Sequence, residues 1–305
     1  MIPLCSPKQA LLPTALALGS FDGLHSGHRR VIEMITNNPP GIPSVVSFWP
    51  HPREVLYGET RLRLDLPSEK TSLLNPLGVE QLVLVPFDNS LAALSPEEFV
   101  NQILLQTLQA KRIAIGENFR FGKNRKGDAY SLQKLGRALG IEVSIVPIFK
   151  DSEGRMSSSR IRSALNKGEL SIAKKLMGRP YRFRGKVISG KGLGRQLGWP
   201  TANLQVDGRK FLPGLGVYAA WAWRNHLETP FPAVMNLGPQ PTVDPSSPSA
   251  VEVHLLNQNI DLEEEELLVE PIEKLRDQKR FANMEELSEQ IGLDANLAKS
   301  ILQRV

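Results

Sequence analysis

Two histidines and three glycines fall within ten residues near the start of the chain, in the sequence GSFDGLHSGH, 19–28. An apolar run, 15–18, precedes them and suits a buried strand, while the apolar residues of 29–35 recur at helical spacing. Glycines let a ligand approach the backbone closely, and a helix N-terminus presents free N–H groups to an anion. His25 and His28 are three apart, so on a helix they would share one face. This arrangement suits the phosphates of a nucleotide.

A surface turn that merely contains histidines and glycines is the alternative. Six residue types at fixed spacing favour the phosphate-binding interpretation. The residues predicted to contact ATP at this turn are Gly19, Ser20, Phe21, Asp22, Gly23, His25, Gly27 and His28.

The pattern G-x-F-D-G-x-H-x-G-H resembles the HxGH-type motif of nucleotidylyltransferases. It is similar to the form in the N-terminal module of the prokaryotic bifunctional riboflavin kinase/FAD synthetase family, although Ser20 replaces the usual Asn. The resemblance implies that the first half adenylylates FMN to FAD with ATP and releases pyrophosphate. The attacking phosphate oxygen is already ionised, so the chemistry needs positioning and charge neutralisation rather than a general base.

Two further segments resemble the flavin-binding parts of that family: SFWPHP, 47–52, and GENFRFGKNRKGD, 116–128. A stiff loop and core phenylalanines are the respective alternatives. The second segment departs from the family, which usually has Asp at position 118. The resemblance implies flavin contacts from Pro50, His51, Pro52, Asn118, Phe119, Phe121 and Asp128.

The segment MSSSRIRSAL, 156–165, resembles the family's I-S-S-T-x-I-R motif. The alternative is that this segment is an ordinary helix N-cap followed by a basic surface. Arginines at a helix start oppose the helix dipole, which favours an anion bound beside them. Ser158, Arg160 and Arg162 are therefore predicted to bind the phosphates of ATP, with His28 and Arg160 as catalytic groups.

Apolar runs alternate with helical patterns through the first half, including predicted helices over 95–108 and 129–139. Such βαβα repetition implies a parallel sheet covered on both faces, with ligands at the carboxyl ends of its strands. The resemblance implies a Rossmann-like nucleotidylyltransferase domain over residues 1–178.

Strand-like runs separated by turn residues follow one another from 182 to 272, and a helical pattern closes the chain over 283–305. This predicts an all-β barrel with a closing helix, over residues 179–305. The sequence GKGLGRQLGWPTAN, 190–203, resembles the riboflavin kinase signature. It implies ATP contacts from Gly190, Lys191, Gly194, Thr201 and Asn203, and the neutral oxygens of Thr201 and Asn203 suit Mg²⁺.

The alternating run VEVHLL, 251–256, carries Glu252, which matches the catalytic Glu of that family. The riboflavin hydroxyl is neutral, so its phosphorylation is helped by a carboxylate that takes the proton. The alternative is that Glu252 is an ordinary strand carboxylate that faces solvent. The resemblance also implies flavin contacts from Arg276 and Phe281. The family's R-x-E-x-x-F segment has Gln278 in place of its Glu, and Glu263 and Glu264 replace the usual Tyr-Gly.

Composition limits the classes of protein to which this chain can belong. The 305 residues suffice for two cores, and one cysteine, Cys5, allows no intrachain disulfide, which fits a reducing cytoplasm. The sequence contains neither a signal-peptide pattern nor an apolar run long enough to span a membrane. The net charge of +5 favours anionic partners. Without an arginine-rich tail, zinc knuckle or aromatic RNA-binding motif, nucleotides are favoured over nucleic acid.

The sequence therefore predicts a two-domain cytoplasmic enzyme, a monomer or weak homo-oligomer, that uses riboflavin, FMN, ATP and Mg²⁺. It phosphorylates riboflavin to FMN and then forms FAD. One alternative is an adenylyltransferase with a degenerate, flavin-binding kinase domain. A second is a regulator that binds flavin or nucleic acid without catalysis.

Overall fold

The chain folds into two compact units, Met1–Ser158 and Ser159–Val305. The computed structural model describes residues 1–189, 194, 197–224, 228–238, 251–258 and 262–304. Residues 159–178 group with the second unit. The division of the two activities after residue 178 stays a prediction.

A six-stranded sheet forms the centre of the first unit, and every pair of neighbouring strands in it is parallel. Its strands are β1 (Leu4–Cys5), β2 (Thr14–Leu18), β3 (Ile42–Trp49), β4 (Gln81–Pro86), β5 (Ala110–Gly116) and, after two short strands, β8 (Glu142–Val146). They lie in the order β1-β4-β3-β2-β5-β8. The order reverses beside β2, and in parallel sheets ligands bind at the carboxyl ends of the strands at such a point.

Apolar clusters cover both faces of this sheet, so every residue of β2 is buried. Leu16 and Leu18 pack into one apolar cluster, and the alternate residues Ala15 and Ala17 pack into the other.

The short strands are β6 (Arg120–Phe121), β7 (Gly127–Asp128), β9 (Lys150–Asp151) and β10 (Gly154–Arg155). The α-helices are α1 (Ser26–Thr36), α2 (Pro52–Tyr57), α3 (Pro67–Leu74), α4 (Asn89–Ala93), α5 (Pro96–Glu98) and α6 (Ala129–Ala138).

The remaining helical segments of the first unit are tighter or wider than an α-helix. A π-helix continues α5 over Phe99–Thr107. Single 3₁₀ turns cover Pro7–Gln9, Asn75–Leu77 and Lys123–Arg125.

A closed antiparallel barrel forms the centre of the second unit, with strand order β11-β12-β15-β14-β13-β16. The strands are β11 (Phe183–Ile188), β12 (Ala202–Gln205), β13 (Gly216–Arg224), β14 (Phe231–Leu237), β15 (Val251–Leu255) and β16 (Glu266–Arg276). Helices α7 (Ser158–Lys167) and α8 (Leu170–Met177) precede the barrel, and α9 (Met284–Leu302) follows it. Ala295 and Ala298 of α9 pack against Val217 and Ala219 on the outside of β13.

The predicted fold class is confirmed for both units. Alternating strand and helix patterns produced a parallel sheet, and consecutive strand patterns produced a closed barrel. Among the helices that the structure describes, none is long and apolar enough to cross a membrane.

Candidate functional site

The turn after β2 is held in place by two buried carboxylates. Asp22 Oδ1 accepts hydrogen bonds from the backbone N–H groups of Leu64 (2.9 Å) and Asp65 (3.2 Å). In return, the N–H of Gly23 donates to Asp65 Oδ2 at 2.9 Å. Gly23 has a φ of 85°, a conformation that glycine adopts without strain. Asp22 therefore braces the predicted ATP-binding turn against the segment before α3.

His25 caps α1 instead of lying within it, so the expectation that both histidines share a helical face is corrected. Its backbone is extended, and its Nδ1 accepts a hydrogen bond from the N–H of His28 at 3.3 Å. The two rings stack, with 3.7 Å between their centroids. A Cβ on Gly27 would lie 3.2 Å from the His25 ring, so glycine at this position makes room for the stack.

Both histidines are uncharged at neutral pH. Burial, reinforced by the charge of Arg155, lowers the pKa of His25 to about 4. Burial, with His25 and Lys70 nearby, lowers the pKa of His28 well below its usual value. Because His25 Nδ1 accepts a hydrogen bond, its proton resides on Nε2. The Nδ1 atom of His28 is shielded from solvent without a hydrogen-bond partner. The rings can therefore serve a phosphate as hydrogen-bond groups rather than as fixed cations.

A cation beside the turn comes from α3, where the sequence analysis assigned none. Lys70 is only 6% exposed, and its Nζ donates to the carbonyl of Ser20 at 2.6 Å. Burial lowers its pKa, while the carboxylates of Asp22 and Asp65 act in the opposite direction. Because Lys70 follows the turn by 50 residues, only the fold brings the two together.

A small cleft, open to solvent, adjoins this turn. It is lined by Ser20, Asp22, Ser47, Phe48, Trp49, His51, Arg61, Arg63, Pro67, Lys70, Leu84 and Ser158. Arg63 is ion-paired with Glu54 at 2.5 Å, and its guanidinium lies 5.1 Å from the centre of the Trp49 ring. The cleft thus combines an aromatic wall with three basic side chains. Arg61 and Arg63, like Lys70, were missed by the sequence analysis.

Only one of the three residues predicted at the proline-rich loop lines this cleft. His51 caps α2, its Nδ1 accepting from the N–H of Arg53 at 3.1 Å. Burial and the charges of Arg61 and Arg63 lower its pKa to about 4. Pro50 is exposed, and Pro52 is the first residue of α2.

The four predicted flavin residues of the 116–128 segment lie outside the lining of that cleft. Phe121 is 6% exposed and belongs to the core, whereas Phe119 is half-buried and stacks on it at 5.8 Å. Asn118 is exposed. Asp128 caps α6, where hydrogen bonds from Ser131 lower its pKa, and it pairs with Arg120 at 3.1 Å. Phe119 is thus the aromatic side chain of this pair with an accessible face.

The Ser158 hydroxyl, at the start of α7, donates to the carbonyl of Asp22 at 2.8 Å, so it contacts the predicted ATP-binding turn. Arg160 and Arg162 follow on α7, in the second unit. The Arg162 guanidinium lies 5.7 Å from the centre of the Phe211 ring. Phosphate binding by these two arginines stays a prediction.

In the second unit, three polar side chains form one row across neighbouring barrel strands. Glu252 on β15 is paired in register with Asn203 on β12 and with Asn236 on β14. Register partners project from the same face of a sheet. Asn236 Nδ2 donates to Glu252 Oε2 at 3.4 Å. The predicted catalytic carboxylate therefore lies beside a predicted Mg²⁺ ligand, and Asn236 was not foreseen.

The segment that leads into Thr201 is anchored to the barrel and to α9. His254 Nδ1 is hydrogen-bonded to the carbonyl of Pro200 at 2.7 Å, and Trp199 Nε1 donates to Ser288 Oγ at 3.3 Å. The carbonyl of Gly194 accepts from the N–H of Trp199 at 2.8 Å, which brings this predicted ATP-binding glycine next to the segment. Thr201 itself is exposed. Gly190 and Lys191 lie outside the described residues.

Arg276 and Phe281, the other predicted flavin contacts, lie near α9. Arg276 Nε and Nη2 both bind the carboxylate of Asp294, at 3.0 and 2.8 Å, and the guanidinium lies 5.7 Å from the centre of the Phe281 ring. Asp294 is buried, so this forked pair fastens the end of β16 to α9.

Comparison with known proteins identifies relatives of both units. The sequence model of the FAD synthetase family matches residues 8–160, and that of the riboflavin kinase family matches 177–302. A bifunctional riboflavin kinase/FMN adenylyltransferase from Escherichia coli (strain K12) is 36% identical over 93% of this chain and 91% of its own length. One of the same description from Bacillus subtilis (strain 168) is 33% identical, covering 94% and 92%.

A solved structure shares the fold over nearly the whole length. It is the crystal structure of a macrolide-efflux protein from Streptococcus pneumoniae, 30% identical, with a TM-score of 0.82. The match covers 96% of this chain and 97% of that one.

Proposed function

This chain belongs to the family of bifunctional riboflavin kinase/FMN adenylyltransferases, and we propose that the residues described above carry its two activities. Family matches to both halves support an enzyme that phosphorylates riboflavin and adenylylates FMN. They do not favour a degenerate kinase domain or a regulator without catalysis.

Adenylyl transfer is assigned to the turn between β2 and α1. An ionised phosphate oxygen of FMN attacks the α-phosphorus of ATP, a new P–O bond forms, and the bond to the departing pyrophosphate breaks. The backbone N–H groups at the start of α1 and the neutral rings of His25 and His28 donate to phosphate oxygens. Lys70 supplies a positive charge close to the turn. Neither a nucleophilic side chain nor a general base is needed.

Phosphorylation of riboflavin is assigned to the outer face of the barrel. The 5′-hydroxyl of the ribityl chain attacks the γ-phosphorus of ATP, the new O–P bond forms, and the bond to ADP breaks. Glu252 takes the hydroxyl proton. One observation carries this assignment: the Glu252 carboxylate lies between Asn203 and Asn236 in a single row of register partners.

The donor set of the kinase site fits Mg²⁺. Thr201 and Asn203 offer two neutral oxygens, and Mg²⁺ commonly takes few protein ligands beside phosphate oxygens and water. Within the described residues, no group of three or more His, Cys, Asp or Glu could hold a metal by itself. We propose that Thr201 and Asn203 hold Mg²⁺ brought with ATP. When bound, it neutralises charge on the phosphates.

A single assay of flavin products tests both assignments. The purified chain is incubated with riboflavin, ATP and Mg²⁺, and the flavins are separated by chromatography. Glu252→Gln should abolish FMN formation yet convert supplied FMN to FAD, and His28→Ala should do the reverse. Equal loss of both steps in either variant would contradict the division of labour.

We further propose that the enzyme acts in the cytoplasm as a monomer or weak homo-oligomer and does not bind nucleic acid. The lone cysteine supports the cytoplasmic location, and a sequence without an arginine-rich tail, zinc knuckle or aromatic RNA-binding motif supports the lack of nucleic-acid binding. Size-exclusion chromatography with light scattering tests the oligomeric state, and an RNA-binding titration at physiological salt tests the lack of nucleic-acid binding.

A further inference from the structure

The side-chain amide of Gln278 has a fixed orientation. Its Nε2 donates to Asn236 Oδ1 at 2.6 Å and to the carbonyl oxygen of Leu237 at 2.8 Å. A backbone carbonyl can only accept, so the NH₂ end of Gln278 must face it. Reversing the amide would place two oxygens against each other. Leu237 therefore determines which end of Gln278 meets Asn236.

Gln278 determines in turn how Asn236 is oriented. Because Asn236 Oδ1 accepts from Gln278, its Nδ2 is directed to the other side, 3.4 Å from Glu252 Oε2. A flipped Asn236 would set two NH₂ groups against each other and turn its oxygen toward the carboxylate. The hydrogen bonds run in one direction, from the Leu237 carbonyl through two amides to Glu252.

We propose that Asn236 and Gln278 are positioning residues of the kinase, which hold the Glu252 carboxylate in the orientation that accepts a proton. This inference rests on the proposed role of Glu252. A neutral donor on Oε2 restrains the carboxylate without neutralising it, and the second oxygen, Oε1, then faces the ribityl hydroxyl. A lysine or arginine in place of Asn236 would bind the carboxylate more tightly and make it a weaker base.

Only a residue with an NH₂ group at position 278 can complete this arrangement. A glutamate there has no hydrogen to give to Leu237 or to Asn236 Oδ1. It would attract Asn236 Nδ2 away from Glu252 and add a like charge. The glutamine of this chain, which stands where the family usually has Glu, is thus part of its own way of orienting the base.

Steady-state kinetics of four variants test the proposal: Asn236→Ala, Gln278→Ala, the double variant and Gln278→Glu. Asn236→Ala should lower kcat for FMN formation about tenfold, the effect of one lost hydrogen bond to a charged group, and Gln278→Ala should lower it by no more than that. KM for riboflavin and for ATP should stay within about twofold. Because Gln278 acts through Asn236, the double variant should be no slower than Asn236→Ala. Gln278→Glu should be at least as slow as Gln278→Ala.

Two measurements separate this proposal from simpler explanations. Thermal unfolding of the same proteins, followed by circular dichroism, reports whether the barrel of the second unit is folded, and the exposed Gln303→Ala should match the unaltered enzyme in both activities. Unchanged kcat in Gln278→Ala, losses that multiply in the double variant, or a change in KM alone would overturn the proposal. If Glu252→Gln still forms FMN, the role of Glu252 itself fails, which is a different outcome.

Discussion

The imidazole rings of His25 and His28 lie nearly parallel, 3.7 Å apart with 18° between their planes. Two protonated rings at that distance would repel each other, and burial disfavours the charge on either. The predicted ATP-binding turn therefore contains two neutral rings at neutral pH, and Lys70 adds a buried positive charge beside it. This division decides how the first unit responds to acid and to substitution.

Acid should destabilise the first unit through these histidines. The folded pKa of His25 is about 4, against an ordinary value of 6.5, so the unfolded chain binds the proton first as the pH falls. The stabilising contribution is complete above pH 6.5 and is lost between pH 6.5 and about 4, on the order of 3 kcal/mol for His25. The loss of unfolding free energy can be measured by urea unfolding at a series of pH values, with hydrogen exchange of the β2 amides reporting on the first unit.

His25→Asn is the matched variant, because asparagine caps a helix well but does not titrate. It should reduce the pH dependence of the first unit's unfolding free energy by the share of one histidine. His28 and His51, whose pKa values are also lowered by burial, should account for part of the remaining slope. An unchanged slope in His25→Asn would refute the assignment.

Lys70→Met should lower FMN adenylylation about 100-fold, because it removes the positive charge beside the Ser20 carbonyl while keeping an apolar stem of similar length. FMN formation from riboflavin should not change. Initial rates with supplied FMN and with riboflavin measure both effects. Lys134→Met, an exposed lysine on α6, is the control, and a Lys70→Met enzyme with ordinary FAD formation would contradict the role of Lys70.

The two stacked phenylalanines should separate into a binding and a core residue. Phe119→Ala should raise KM for FMN several-fold with little loss of stability, because one face of its ring is accessible. Phe121→Ala should lower the free energy of unfolding of the first unit by about 3–5 kcal/mol, since the ring is buried in the core. Thermal unfolding and adenylylation kinetics distinguish them. A Phe119→Ala enzyme with unchanged KM would remove Phe119 from the flavin site.

Gly194→Ala should raise KM for ATP in the kinase reaction. A Cβ there would overlap the carbonyl oxygen of Trp199 and lie 3.0 Å from Thr201 Oγ1, so the segment holding the predicted Mg²⁺ ligand must move. Gly292→Ala is the matched control, since its Cβ would be 3.5 Å from the same Trp199, an ordinary contact. Equal behaviour of the two variants in ATP titrations would contradict this view.

Local patterns predicted most elements. The capping box of Ser95 and Glu98 begins the predicted helix, and Asn283 caps α9 as expected. The helix predicted over 95–108 has the right extent, but most of it, Phe99–Thr107, is a π-helix rather than an α-helix. Apolar spacing fits either helix type over so short a segment, so the sequence could not distinguish them.

The site residues that the sequence did not predict were missed for one physical reason. Lysine and arginine usually lie in solvent, and nothing in the sequence around them marks Lys70 and Arg63 as buried or Arg61 as half-buried. They reach the cleft because Asp22 binds the backbone of Leu64 and Asp65, a contact across more than 40 positions. Asn236 belongs to a segment, 235–242, that resembles the family's N-x-G-x-x-P-T turn, but its place beside Glu252 follows only from the pairing of β14 with β15.

Closure of the barrel by β11 and β16 has a consequence during synthesis. Strand β11, residues 183–188, can pair with β16, Glu266–Arg276, only after that last strand of the unit has been synthesised. The sheet of the first unit is complete at Val146. While the chain is still leaving the ribosome, the turn after β2 can fold onto its completed sheet, whereas the barrel can close only after Arg276 has emerged.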